Sequence, residues 1–271
     1  EVIGFGRACH ELIPAEIKAL KPQVDIGCYA GKRRQLPWYL LSAALLAKSG
    51  KKVFLHGAHE PGSGRLYASH VLPTLGLPAV ESAAAAKSQL DSQGVTYLDL
   101  GIVLPPLNTL IKLREFFGLR SCANTLARLL NPTAAPYCVQ GVYHMHLDHK
   151  HRHVNEAFRD YASLCFRGDG GDPEVNSERL TELFITRHGE TEMPVLPEMT
   201  EKWAMKDREM DIDDMLAFWR GDIEHQYGAQ AVHATLVAYL MLSEAQSQDE
   251  AKLLARSMWE QRDKAALPFQ F

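Results

Sequence analysis

Short apolar runs with strand character alternate along this chain with longer helix-like segments. The runs lie at 24–26, 52–57, 95–104, 137–143, 163–168 and 183–186. Between them, Pro37 suits the first turn of a helix that the apolar run 38–46 continues, and further helices are predicted near 107–117, 121–130 and 153–162. Strands that alternate with helices indicate an α/β fold with a largely parallel sheet covered on both faces.

Composition sets the limits on size and partners. The chain has 271 residues, of which 46% are hydrophobic, enough for one large α/β domain or a core domain with a smaller lobe. A net charge of −4 argues mildly against a nucleic-acid partner, although such a partner needs only a local basic face. Because the chain begins with Glu1 inside a helix-like pattern, we expect that residues preceding it are missing.

Cysteine usage and hydropathy bear on the compartment. The five cysteines are odd in number and have no CxxC spacing, which fits a reducing compartment without a disulfide or zinc framework. Neither an apolar run of membrane-spanning length nor a signal peptide is visible, so the expected location is the cytoplasm, away from membranes.

Two glycine-containing loops follow predicted strands and carry cations. The first, at 27–34, contains Lys32, Arg33 and Arg34 before a helix, and a helix N-terminus presents free N–H groups to anions. The second, at 56–65, has three glycines and ends in Arg65. Both are candidate phosphate sites, because α/β sheets bind ligands at the carboxyl ends of their strands. The alternative for each is an ordinary surface turn.

Two further stretches suggest other chemistry. The run 144–153 contains five histidines, and His149 and His153 share one face of a helix, which permits a metal site. Lys150 and Arg152 oppose a dication, so a polar surface helix is the alternative. Residues 187–190, Arg-His-Gly-Glu, resemble the signature of histidine phosphatases, but only 80 residues follow Thr191, too few for that catalytic domain.

A longer match lies at 114–132, Arg-Glu-Phe-Phe-Gly-Leu-Arg-Ser-Cys-Ala-Asn-Thr-Leu-Ala-Arg-Leu-Leu-Asn-Pro. It is similar to the signature R-x-x-L-G-x-R-T-x-x-N-x-L-G-P-L-x-N-P of the anthranilate phosphoribosyltransferase family. The resemblance implies a mixed, largely parallel sheet flanked by helices in an α/β domain at 23–104 and 133–271. It also implies a small helical lobe at 1–22 and 105–132, through which family members usually form homodimers.

The chain departs from the family where phosphate and magnesium bind. Residues 27–31, Gly-Cys-Tyr-Ala-Gly, stand where the family carries its pyrophosphate-binding G-T-G-G-D, and 37–40, Pro-Trp-Tyr-Leu, where it carries N-x-S-T. The family's metal-binding Asp-Glu pair falls near Asp172 and Glu174, which Pro173 separates. Loss of a tight amide cradle and of ordered magnesium would leave a departing pyrophosphate poorly stabilised. We therefore expect no cofactor and no biosynthetic transferase activity.

These departures resemble a non-biosynthetic, YbiB-like branch of the family, which implies a homodimer that binds DNA or RNA with little sequence preference. Fixed cations can hold the phosphates of a polymer without a metal. The candidate contacts are Lys32, Arg33, Arg34, Arg65, Lys112, Arg114 and Arg120. Tyr29, Trp38 and Tyr39 offer stacking faces to bases, with core packing as the alternative.

The sequence leaves open whether the chain is an enzyme. One alternative is an active glycosyl or phosphoribosyl transferase that uses phosphoribosyl pyrophosphate and magnesium with an unusual acceptor. Another is phosphatase chemistry at Arg187 and His188.

Overall fold

The computed structural model describes residues 1–60, 62–199, 209–244 and 247–270. The strands are β1 (Val24–Cys28), β2 (Val53–Gly57), β3 (Val95–Asp99), β4 (Tyr137–Val142), β5 (Ala162–Arg167), β6 (Thr181–Arg187), β7 (Glu190–Glu192) and β8 (Val195–Leu196). The helices are α1 (Val2–Leu12), α2 (Ala15–Lys18), α3 (Tyr39–Lys48), α4 (Ala68–Val71), α5 (Ala83–Gln93), α6 (Leu100–Val103), α7 (Pro105–Lys112), α8 (Arg114–Phe117), α9 (Cys122–Arg128), α10 (Leu147–Ala157), α11 (Asp213–Arg220), α12 (Gln226–Ser243) and α13 (Gln248–Glu260).

The strands form one mixed sheet in the order β3-β2-β1-β4-β5-β6-β7, and β8 also pairs with β6. Strands β3, β2, β1, β4 and β5 run parallel, whereas β6 is antiparallel to β5, and β7 and β8 are antiparallel to β6. This confirms the predicted mixed, largely parallel sheet. Because β1, β2, β4 and β5 point the same way, their carboxyl ends lie at one edge, where α/β proteins bind ligands.

Both faces of the sheet are covered, which explains the continuous apolar character of its central strands. Every residue of β1 and β2 is buried. On one face, α3 packs against α12, and both helices are apolar almost all round because neighbouring elements enclose them. The other face is covered by α5, α6, α7, α9 and the two N-terminal helices, whose apolar side chains share a cluster with Phe54 and Leu98 of the sheet.

The sequence misjudged two element boundaries on this framework. The predicted strand 95–104 ends at Asp99, whose side chain accepts the amide of Gly101 at 2.8 Å and caps the short helix α6. The apolar residues 100–104 therefore pack as a helix and not as strand. The helix predicted around 153–162 instead occupies Leu147–Ala157 and includes most of the histidine run.

Within the described residues, no helix is both long enough and apolar enough to span a membrane.

Candidate anion-binding cleft

A cleft of about 690 Å³ opens at the edge where β1, β4 and β5 end. Its cationic lining residues are Arg33, Arg34, Arg65, Arg120, Arg128 and Arg179. Asp169 is the carboxylate among the lining residues. The geometry therefore concentrates positive charge in one concave site on a chain whose net charge is −4.

Lys32 lies beside this cleft, but its side chain is not part of the lining. Its side chain is only 1% exposed, and its Nζ lies 2.9 Å from Asp169 Oδ2 and 2.7 Å from Glu174 Oε1. Burial alone would lower the pKa of Lys32, but the charges of Asp169 and Glu174 raise it above its ordinary value. The ammonium is thus permanently charged and internally paired, which differs from the expectation that Lys32 contacts an external phosphate.

Glycines place the acidic segment 169–174 against the sheet. A Cβ on Gly168 would lie 1.7 Å from the carbonyl oxygen of Asp172, and one on Gly141 would lie 2.4 Å from the Asp172 carbonyl carbon. Only residues without a side chain permit so close an approach. The segment is therefore held where Asp172 and Glu174 face the loop that follows β1.

Backbone amides and carbonyls of the loop after β1 form hydrogen bonds within the protein. The amide of Ala30 donates to Asp172 Oδ1 at 2.9 Å, and the amide of Tyr39 donates to Glu174 Oε2 at 2.9 Å. Arg65 donates to the carbonyl oxygens of Ala30 and Gly31, both at 3.0 Å. An amide cradle for pyrophosphate needs free N–H groups, and these are already bonded.

The same contacts test the fit of the magnesium that the family implies. Mg²⁺ requires carboxylate oxygens arranged around an open position, at about 2.1 Å from the ion. Here the Lys32 ammonium lies between Asp169 and Glu174, and Asp172 is bonded to the loop amide. Within the described residues, no group of side chains is arranged to hold a metal ion. These residues do not fit the metal.

Tyr29 fills the space behind this loop. Its hydroxyl lies 2.6 Å from His56 Nδ1, and His56 Nε2 lies 2.8 Å from Asp25 Oδ1. Tyr29 is 4% exposed, and His56 and Asp25 are fully buried. Trp38 and Tyr39 are also fully buried. The three aromatic residues are therefore core residues. The alternative of core packing is confirmed, and the interpretation of these rings as stacking faces is wrong.

The remaining predicted contacts divide between the cleft and a smaller neighbouring pocket. Arg33 and Arg34 are exposed and line the cleft together with Arg65 and Arg120. Arg114 and Lys112 line the neighbouring pocket of about 200 Å³ instead. Glu60 forms ion pairs with both Arg114 and Arg120, which reduces the charge these two side chains offer to a ligand.

Arg179 and Tyr143 were not predicted as binding residues. Arg128 belongs with Arg114 and Arg120 to the cations around the cleft helices but was not among the predicted contacts. Arg128 is 7% exposed and its Nε has no hydrogen-bond partner, although one of its terminal nitrogens donates to the Asn124 carbonyl. Burial, followed by the nearby charge of Arg120, lowers the pKa of Arg128 to about 10. A signal was present at this position, because the family signature has proline where this chain has arginine.

The histidine run and the Arg-His-Gly-Glu motif lie elsewhere. His151 is buried with Nδ1 3.0 Å from Gln140 Oε1, while His153 is exposed beside Glu156, so the run does not converge on one point. Arg187 ends β6 and donates to the carbonyl oxygens of Met241 and Leu242 at the end of α12. His188 lies in the turn between β6 and β7, away from the cleft.

Comparisons with known proteins agree with this fold. No protein-family model matches the chain. It is similar to the uncharacterized protein YbiB of Escherichia coli, with 28% identity over 194 residues, covering 70% of this chain and 60% of that protein. It is also similar to the anthranilate phosphoribosyltransferase of Desulfitobacterium hafniense strain Y51, with 28% identity over 149 residues, covering 55% of this chain and 44% of the enzyme. The chain thus spans less than two thirds of these relatives.

Solved structures show the same fold over nearly the whole chain. The anthranilate phosphoribosyltransferase of Thermus thermophilus superposes with a TM-score of 0.74 at 20% identity, covering 95% of this chain and 79% of the enzyme. The Saccharomyces cerevisiae enzyme in complex with PRPP and Mg gives a TM-score of 0.73 at 16% identity, covering 96% and 75% of the two chains. The chain thus shares the fold of these anthranilate phosphoribosyltransferases and is similar in sequence to YbiB and to the Desulfitobacterium enzyme.

Proposed function

We propose that this chain binds DNA or RNA through phosphate contacts in the arginine-lined cleft, with little sequence preference and without transferase activity. The observation that carries the proposal is the set of six arginines around one cleft whose lining carboxylate, Asp169, is already paired with Lys32. A guanidinium is always charged near neutral pH and presents a planar fork of donors that matches phosphate oxygens.

Two of the arginines suit a polymer more than a small buried substrate. Arg33 and Arg34 are exposed at the mouth of the cleft, where a backbone longer than one phosphate can pass. Contacts of this kind are independent of base sequence, because every nucleotide carries the same phosphate. Lys112 and Arg114 lie in the adjoining pocket and extend the basic surface beyond the cleft itself.

Tyr143 supplies an aromatic face at the same site. It follows β4 directly, lines the cleft and is 59% exposed, and the ring of His144 lies edge-on to it at 5.2 Å. An exposed aromatic ring beside a basic groove suits base stacking, which is worth about 1–3 kcal/mol per base in single-strand binding. Tyr143 takes the role that the sequence had suggested for Tyr29.

The alternative, a transferase that uses phosphoribosyl pyrophosphate with magnesium, requires groups that are engaged elsewhere. The Ala30 amide is bonded to Asp172, and the Lys32 ammonium stands between Asp169 and Glu174. A pyrophosphate leaving group would therefore meet neither a free amide cradle nor a metal.

We also propose that the chain forms a homodimer through its helical lobe. Of the described residues, large apolar side chains are exposed on this lobe at Val2, Phe5, Leu12, Leu110, Phe116, Phe117 and Leu119. Phe116, Phe117 and Leu119 are close neighbours in the chain, and a cluster of exposed apolar side chains usually marks an interface. A dimer would present two clefts to one polymer and raise its affinity through multivalency.

Titration of labelled single- and double-stranded oligonucleotides at two salt concentrations tests the binding, paired with an assay of pyrophosphate release from phosphoribosyl pyrophosphate. We expect binding to both kinds of oligonucleotide that weakens steeply with salt, and no pyrophosphate release. Release that depends on magnesium, with indifference to oligonucleotides, would favour the transferase. Phosphate release from a simple ester that His188→Ala abolishes would favour phosphatase chemistry.

A further inference from the structure

We infer that the Lys32 ammonium is a built-in substitute for a divalent cation: the cluster of Asp169, Asp172 and Glu174 carries its own positive charge, excludes metal ions, and becomes a metal site only when Lys32 is removed. This inference concerns the metal chemistry of the cluster. It is independent of whether the cleft binds nucleic acid.

The first support is the hydrogen bonding of the ammonium, which has three N–H donors. Its acceptors are Glu174 Oε1 at 2.7 Å, Asp169 Oδ2 at 2.9 Å and the Asp169 carbonyl oxygen at 3.2 Å. Three donors therefore meet three oxygens. Carboxylate and carbonyl oxygens are also the ligands that hard divalent cations prefer, so the lysine occupies a position with the chemistry of a metal site.

The second support is that the lysine is fixed from its backbone outwards. Its amide donates to the Leu66 carbonyl at 2.8 Å, and its carbonyl accepts the Leu66 amide at 2.9 Å. The side chain is 1% exposed, and its Nζ lies 6.0 Å from the ring centroid of Tyr39. A lysine anchored in this way cannot swing out to admit a metal ion without opening the loop that follows β1.

The third support is the charge of the cluster. Glu174 is fully buried, as is nearly all of Asp172, while Asp169 is 22% exposed. Buried carboxylates without a counter-charge are strongly unfavourable. Removal of the ammonium would therefore leave the carboxylate oxygens without their counter-charge, which a dication could then supply.

The experiment measures Mn²⁺ binding by the loss of the electron paramagnetic resonance signal of free Mn²⁺. The proteins are the wild-type chain, Lys32→Ala, the double variant Lys32→Ala/Asp169→Asn, and Lys87→Ala as a control at an exposed lysine outside the cleft. We expect no stoichiometric binding by the wild type or the control. Lys32→Ala should bind Mn²⁺ at least about tenfold more tightly than the wild type, and the double variant should lose that gain.

The thermal midpoint supplies a second readout. A ligand that binds only the native state stabilises it by RT ln(1 + L/Kd), where L is the free ligand concentration, and so raises the midpoint. MgCl₂ or EDTA should leave the wild-type midpoint unchanged, whereas MgCl₂ should raise that of Lys32→Ala. A folded Lys32→Ala that binds Mn²⁺ no better than the wild type overturns the inference.

If Lys32→Ala does not fold, the measurements on the wild type alone test the inference. Stoichiometric Mn²⁺ binding by the wild type that Asp169→Asn weakens would overturn the inference. The absence of such binding, together with an unchanged midpoint in MgCl₂ and EDTA, supports it.

Discussion

The guanidinium of Arg128 lies where a charged group loses most of its hydration. Burial and the charge of Arg120 lower its pKa to about 10, and its Nε has no hydrogen-bond partner. A buried charge that is incompletely paired costs stability unless a ligand completes its bonding. We interpret Arg128 as a residue that serves the proposed binding at the expense of folding free energy.

The substitution Arg128→Met separates the effect of this residue on stability from its effect on binding. Methionine keeps an unbranched stem and removes the charge, so the free energy of unfolding should rise by on the order of 1 kcal/mol. Oligonucleotide affinity should fall by about 1–3 kcal/mol because a charge-assisted contact is lost. Urea denaturation and fluorescence anisotropy measure the two effects. Arg220→Met, an exposed change outside the cleft, should alter neither, and a variant that loses stability but binds normally would refute this role.

His151 makes stability depend on pH. Burial and the charge of Arg128 lower its pKa from the ordinary 6.5 to about 3. Between these values the unfolded chain binds a proton that the native state does not, so stability falls as the pH is lowered from 6.5 towards 3. The slope from this one group is at most about 1.4 kcal/mol per pH unit.

His151→Gln should remove that slope while keeping a polar side chain beside Gln140. Denaturation midpoints of wild type and variant at several pH values between 4 and 6.5 measure the difference. Lys150→Gln, an exposed change on the same helix, is the control and should retain the wild-type dependence. Parallel curves for His151→Gln and the wild type would contradict the assignment.

At the scale of elements, α12 packs so closely on Trp38 that a glycine-to-alanine substitution in this helix should be destabilising. In most helices the same change is stabilising. A Cβ on Gly228 would lie 2.9 Å from the Trp38 ring, which is fully buried and cannot retreat. Gly228→Ala should therefore lower the free energy of unfolding by about 1–3 kcal/mol. Gly4→Ala in α1, where nothing lies within 4 Å, should raise it by about 0.5–1 kcal/mol. Equal effects of the two changes in urea denaturation would be inconsistent with this packing.

The elements best predicted from sequence are those enclosed on every side. Continuous apolar runs identified β1, β2, β4, β5 and β6, because strands buried on both faces need no polar alternation. The helix α6 was missed because its start depends on one capping bond from Asp99, and its apolar residues also fit a strand. Short apolar runs do not distinguish these two structures by periodicity.

The site was predicted only in part, for a reason of sequence distance. The loop and its arginines were visible because they are contiguous in the chain. The pairing of Lys32 was not, because Asp169 and Glu174 lie 137 and 142 residues away and are brought to it by the fold. The sequence alone does not distinguish a lysine or arginine that pairs with an internal carboxylate from one that binds a ligand.

At the scale of the whole molecule, exposed aromatic residues on the helical lobe predict its assembly. Phe116 and Phe117 of α8 are 84% and 70% exposed. Replacing both with serine should convert a dimer to a monomer with little loss of stability, because neither side chain is buried in the single chain. Light scattering after gel filtration measures the mass. Leu253→Ser on α13, where the leucine is 70% exposed, is the control and should stay dimeric. A monomeric wild type would refute the proposed interface.

The distribution of charge over the molecule connects these scales. Asp169 and Glu174 are paired with Lys32 and Asp172 accepts the Ala30 amide, whereas six arginines line the adjoining cleft. A chain of net charge −4 thereby has a local basic site, which is the basis of the proposed binding of a polyanion. Such attraction is screened by salt and needs no dication.

The most direct test of this account is the affinity for a single-stranded oligonucleotide in EDTA, measured over a series of salt concentrations. We predict binding without any divalent ion and a linear fall of log affinity with log salt. Arg33→Ala/Arg34→Ala should reduce that slope by about 1.4, or about 0.7 for each lost phosphate contact, whereas Arg220→Ala should not change it. No binding in EDTA, or binding restored only by magnesium, would contradict the account.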